Sequence, residues 1–155
     1  MSQRIDTSSR LIHASASEIY EAFAKPTAME RWLPPTGMTG KMLSFDFRVG
    51  GGYRMRLTYE NPNEDQGKTS SDFDEAEVRL VQIDPWQCIV QEVDFNSDDP
   101  AFTGTMLMTW TFDVADKGTL VQVRAENVPE GIRPEDHQAG LDSSLANLAR
   151  FIEAR

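Results

Sequence analysis

The chain has 155 residues, 39% hydrophobic and 26% charged, the composition of a globular protein long enough to bury a core. Its formal net charge of −10 argues against nucleic acid and anionic membrane surfaces as partners, since both are bound mainly through Lys and Arg. Cys88 is the only cysteine, and His13 and His137 are the only histidines. That excludes an intrachain disulfide and a thiolate metal site, and no metal or cofactor is expected.

The opening "MSQRIDTSSRLIH" has no apolar h-region, and no stretch approaches the length of a membrane span, so a cytoplasmic location is expected. Residues 4–14 predict a first strand. In "SASEIYEAFAKP", Ser15 and Glu18 have capping-box spacing, Ile19, Tyr20, Ala22 and Phe23 give a helix its apolar face, and Pro26 ends it. "TAMERWLPP" reads as a second short helix. From residue 39 the period becomes two, with Leu43, Phe45 and Phe47 on one face and Tyr53, Met55, Leu57 and Tyr59 on one face of the next strand.

Gly50-Gly51-Gly52 lies between these strands. A phosphate-cradling loop would need a helix to follow it, and alternation follows instead. Keeping Phe45 and Phe47 on the side of Tyr53 and Met55 requires a loop of odd length. The simplest is three residues centred on Gly50, with a glycine at positive φ and Asp46 opposite Arg54.

Residues 61–72 lack an apolar period and predict a solvated loop. "FDEAEVRLVQIDP" and "QCIVQEVDF" read as strands four and five. "FTGTMLMTWTFDV" (102–114) is the clearest strand in the chain, with Phe102, Met106, Met108, Trp110 and Phe112 on one phase and Thr103, Thr105, Thr109 and Thr111 on the other. A turn at Asp116-Lys117-Gly118 leads into a seventh strand. From Pro134 onward the stripe Leu141, Leu145, Leu148, Ile152 predicts a long helix. Hairpin-length connections imply an α+β fold in which a curved antiparallel sheet wraps the C-terminal helix, with two short helices after the first strand.

Three stretches in this order, "IHASASEIYEAFAKPTAMERWLPP", "FDFRVGGGYRMRL" and "HQAGLDSSLANLARFIE", resemble the START/Bet v 1-like (SRPBCC) helix-grip superfamily, in particular proteins similar to the activator of Hsp90 ATPase (AHSA1-like). The resemblance spans nearly the whole chain and implies one domain over 1–155. Gly140-Leu141 stands where the family often has Gly-Trp, which removes an aromatic from the expected pocket wall. The resemblance implies a cavity between sheet and helix that takes small hydrophobic or aromatic molecules. Relatives include lipid binders, polyketide cyclases and co-chaperone domains, among which fold does not choose. An Hsp90-type chaperone is not an expected partner, because the named activators carry a further domain. A homodimer is left open.

The expected binding residues are Trp32, Phe45, Phe47, Tyr53, Met55 and Leu57 on the N-terminal side, and Met106, Met108, Trp110, His137, Leu141 and Leu145 on the C-terminal side. The same residues would equally fill a core, methionine being suited to either. His137, four residues before Leu141, is a candidate to bond a ligand carbonyl or move a proton, against a local structural bond. Glu92 is a candidate acid if it points inward and an ordinary solvated residue if it points out. No Gly-x-Ser-x-Gly elbow occurs, Cys88 reads as a strand filler, and the acidic clusters lack EF-hand spacing. Binder, cyclase-type enzyme and interaction module therefore all stay open.

Overall fold

The computed structural model describes residues 4–60, 73–95 and 99–154. In chain order it contains β1 (Ile5–Ile12), α1 (Ala16–Ala24), α2 (Pro26–Trp32), β2 (Met38–Asp46), β3 (Gly52–Tyr59), β4 (Phe73–Asp84) and β5 (Cys88–Phe95). A short 3-10 helix (Pro100–Phe102), β6 (Met106–Ala115), β7 (Gly118–Glu126) and α3 (Pro134–Glu153) complete it. The seven strands form one antiparallel sheet in the order β1-β7-β6-β5-β4-β3-β2. The sheet is curved and open, and with α3 it makes an α+β helix-grip fold.

Local chemistry explains the helices. Ser15 accepts from the Glu18 amide while the Glu18 carboxylate accepts from the Ser15 amide, so the capping box is closed in both directions. Pro26 ends α1 and occupies the first position of α2, where its missing N–H is no loss. Ile19, Ala22 and Phe23 of α1 and Ala28, Met29 and Trp32 of α2 are buried. In α3 the buried stripe is Leu141, Leu145, Leu148, Ala149 and Ile152. These residues join the inward-facing side chains of the strands in one hydrophobic core.

Hydrogen bonds seam α3 along both flanks of that stripe. On the β1 side, His137 bonds Asp6 at 2.7 Å, Ser8 bonds Asp142, and Gln138 donates to the Thr7 carbonyl at 2.9 Å. On the other side Ser144 donates to the Leu33 carbonyl at 2.7 Å and Asn147 to the Pro34 carbonyl at 2.9 Å. The helix is thus apolar below and pinned at its edges by directional bonds, which set its height above the sheet.

Three expectations about register need correction. First, Leu43 does not share a face with Phe45: the β2–β3 register shifts between Met42 and Ser44. The bulge turns Met42 inward and leaves Leu43 43% exposed. A similar shift between Leu80 and Gln82 brings Ile83 opposite Ile89. Second, the loop after β2 has odd length, as parity demands, but it is not three residues centred on Gly50. Asp46 faces Gly52 and Ser44 faces Arg54, so residues 47–51 form the loop. The longer loop closes on itself through the Arg48–Asp46 ion pair at 2.7 Å.

The glycines also tie this loop to β4. The Gly50 amide donates to the Leu80 carbonyl and the Leu80 amide to the Gly51 carbonyl, both at 3.0 Å. Gly50 is at φ +89°, the positive φ expected of a glycine in this loop. Third, Phe102 belongs to the 3-10 helix, and β6 begins at Met106. The expected solvated loop over 61–72 lies outside the described residues.

Candidate functional site

The concave face can be written out row by row from the strand register. Phe45, Tyr53, Val78, Val93 and Met106 lie abreast across β2 to β6. The next row toward β1 is Leu80, Gln91, Met108, Ala125 and Asp6. Beyond it come Ile89, Trp110, Val123 and Ser8. On the other side Met42, Met55, Ala76 and Phe95 share a row.

Alternation therefore delivers the expected residues to one face, and the core joins Trp32, Tyr53, Met55, Met106, Trp110, Leu141 and Leu145, all buried, to Phe45, Phe47, Leu57 and Met108, which are half-buried. Aromatic contacts hold one end together: Phe23 packs on Trp32 at 4.7 Å and on Trp110 at 5.0 Å between ring centroids. Phe47, beyond the end of β2, stacks on Phe45 and meets Tyr20 of α1 edge-on at 5.6 Å.

Two surface grooves lie elsewhere. One of about 450 Å³ runs past Glu30, Pro34, Thr36, Gly40, Glu60 and Asn147. The other, of about 240 Å³, lies at the α1–α2 junction beside Glu21, Lys25, Arg31 and Phe151. None of the twelve expected binding residues lines either groove. Those on the concave face pack against one another instead.

Inside that apolar lining sits a polar cluster that includes one residue the sequence reading missed. Gln91 is 3% exposed; its carbonyl accepts from Trp110 Nε1 at 3.1 Å and its amide donates to the Tyr53 hydroxyl at 3.4 Å. Burial pushes the Tyr53 hydroxyl well above its ordinary pKa, so it remains a protonated donor. The signal was present in β5, where Gln91 shares a phase with Ile89 and Val93. It was obscured because Val90, on the opposite phase, is also partly covered.

His137 lies outside this cluster. Its Nδ1 is 2.7 Å from Asp6 Oδ2, with both side chains nearly buried, and Arg4 approaches the same carboxylate at 3.2 Å. On β3, the Tyr59 hydroxyl donates to Asp74 at 3.0 Å. Burial, with the Asp74 and Asp136 charges, raises the Tyr59 pKa. His13, on the surface, bonds the Lys117 carbonyl through Nδ1 and Glu153 through its amide.

Glu92 resolves outward. It shares the convex face with Arg79, which it meets at 3.3 Å, and so cannot reach the space under α3. The same face carries Asp94 with Arg79 at 2.7 Å, and Glu75 between Arg54 at 2.6 Å and Arg56 at 2.9 Å. Hydrogen bonds from Arg56 and Arg54 outweigh burial and hold Glu75 below its ordinary pKa of 4.5. In Asp94, burial pushes upward but is overcome by bonds from Arg79 and Thr105.

A carboxylate with a depressed folded pKa contributes stability above its unfolded value and loses it as pH falls through the folded one. The urea midpoint of the wild type is therefore expected to drop below pH 4.5, and Glu75→Gln to flatten that drop. Parallel pH profiles for the two proteins would contradict the assignment.

A curved sheet gripping a seamed helix over an apolar face with one internal polar cluster defines a helix-grip domain. The family described as "Activator of Hsp90 ATPase homolog 1-like protein" matches residues 13–153, and the chain belongs to that family. A solved protein from Chromobacterium violaceum is 30% identical, with a TM-score of 0.84 and 96% of each chain covered. An AHSA1-like protein from Aeromonas hydrophila is 16% identical over 97% of this chain and 93% of its own, with a TM-score of 0.72. A protein from Arthrobacter aurescens reaches a TM-score of 0.80 at 12% identity, over 97% of this chain and 87% of its own. Among curated proteins none matches. No helix among the described residues is long and apolar enough to cross a membrane.

Proposed function

We propose that the protein binds a small hydrophobic or aromatic molecule between the concave face of the sheet and α3. The observation that carries this reading is the group Met42, Met55, Met106 and Met108 on that face, the first and last half-buried and the middle two buried. Methionine is unbranched and has three rotatable bonds, so a face built from it can repack around a guest at low cost. The half-buried Phe45, Leu57 and Met108 mark where the apolar lining reaches toward solvent. Family membership supports the same reading, since the fold family commonly binds hydrophobic ligands.

The test is native mass spectrometry of protein purified from its own host under non-denaturing conditions. A retained non-covalent adduct is expected, together with chemical-shift changes at Met55, Met106 and Met108 methyl groups when an aromatic probe is added. Bare protein whose methionine methyls ignore every apolar probe would defeat the proposal.

A second reading, acid–base chemistry of the cyclase or dehydratase type, draws on the His137–Asp6 pair at 2.7 Å. Asp6 lies in the same strand row as Met108, and a carboxylate that orients an imidazole is a usual partner for proton transfer. The same spectra separate the two readings, because binding returns the retained molecule unchanged and catalysis converts it.

A further inference from the structure

Resting on the binding function proposed above, we infer that Tyr53, held by Gln91, reads a neutral carbonyl-type acceptor on the bound molecule. Donor chemistry fixes the direction of each bond in the cluster. An indole N–H only donates, so the Gln91 carbonyl must face Trp110, where the distance is 3.1 Å. The Gln91 amide nitrogen then faces Tyr53 at 3.4 Å, and the tyrosine oxygen must act as acceptor. That leaves the Tyr53 hydroxyl proton with no acceptor among the described residues.

A buried donor left in that state is costly, and an apolar side chain of similar shape would avoid the cost. Tyr53 stands on the concave face beside Phe45, with ring centroids 6.0 Å apart, and in the row that ends at Met106. A guest in contact with these apolar side chains would bring its own polar atom within reach of the hydroxyl.

The chemistry of the cluster narrows the acceptor. Glutamine, tyrosine and tryptophan are all neutral, so a carboxylate or phosphate placed there would be desolvated with no counter-charge from the cluster. A ketone, ester, lactone or amide oxygen requires none. The ligand class is therefore a mainly apolar, ring-bearing molecule with one such oxygen.

The test compares two probes of nearly equal size, 1-acetylnaphthalene and 1-ethylnaphthalene, by titration calorimetry. Wild-type protein is expected to bind the acetyl probe about fivefold to tenfold more tightly, the worth of one hydrogen bond. Tyr53→Phe should erase that preference, bringing the acetyl and ethyl probes to equal affinity, with an unchanged far-ultraviolet circular dichroism spectrum reporting that the variant is folded. Equal affinities in the wild type would overturn the inference without any variant. A preference that survives Tyr53→Phe would overturn it as well, and in both cases the binding function itself would stand. Failure of both probes to bind the wild type would instead defeat the binding function and this inference together.

Discussion

Trp32→Ala is expected to lower the unfolding free energy by roughly 3–5 kcal/mol, a large share of the roughly 5–15 kcal/mol that holds a typical domain together. Trp32 is fully buried and touches Phe23 and Trp110 at centroid distances of 4.7 and 5.8 Å. It joins two helices of nine and seven residues to the sheet, and helices that short have little stability of their own. Its indole N–H also donates to the Ala22 carbonyl at 2.9 Å. That carbonyl would normally accept from the residue four positions on, which is Pro26 and has no N–H. Trp32 thus supplies the donor that Pro26 lacks.

Trp32→Phe should therefore still lose about 1–3 kcal/mol, because the buried carbonyl is orphaned even though a ring remains. Urea unfolding followed by far-ultraviolet circular dichroism, with an unchanged m-value, is the measurement. A loss for Trp32→Ala below about 1 kcal/mol would mean that Trp32 is a mobile wall of a ligand site and not part of the packed core.

What was legible in the sequence is what is decided locally. The Ser15–Glu18 capping box lies within four residues, β6 keeps Met106, Met108, Trp110 and Phe112 on one phase, and the α3 stripe repeats at helical spacing. What was not legible is decided by neighbours distant in the chain. The shifts at Leu43 and Val81 are properties of strand pairs, and each reverses the inward phase downstream of it. Asp6 and Ser8 look like a polar strand start until α3 is laid across them; His137 and Asp6 are 131 positions apart. Gln91 was hidden because Cys88 and Val90, on the opposite phase of its own strand, are apolar as well and half-buried. The expected binding residues were readable as a face. That they pack against each other instead of lining either groove required the packed structure.

Gly52→Ala is expected to cost about 2–3 kcal/mol through overpacking of backbone against backbone. A Cβ on Gly52 would stand 2.0 Å from the Val78 carbonyl oxygen and 3.0 Å from its carbon. Neither is the tip of a flexible side chain, so relief requires β3 and β4 to move apart where Gly52 faces Arg79. Gly50→Ala is the comparison. Its Cβ would meet nothing, but φ of +89° imposes the left-handed penalty alone, about 1–2 kcal/mol. Hydrogen exchange should locate the difference, with Gly52→Ala exposing the Leu80 amide that donates to the Gly51 carbonyl. Equal losses for the two variants would mean that β3 and β4 are not held this closely.

The effect should also reach the candidate site, because Tyr53 is the next residue and its hydroxyl depends on Gln91 two strands away. Separating β3 from β4 lengthens a contact that already measures 3.4 Å. In Gly52→Ala protein that remains folded, the preference for an acetyl over an ethyl probe should therefore shrink while apolar binding persists. A glycine run that resembles a phosphate loop would then be serving a hydroxyl on the strand it begins, by letting that strand lie close to its neighbour.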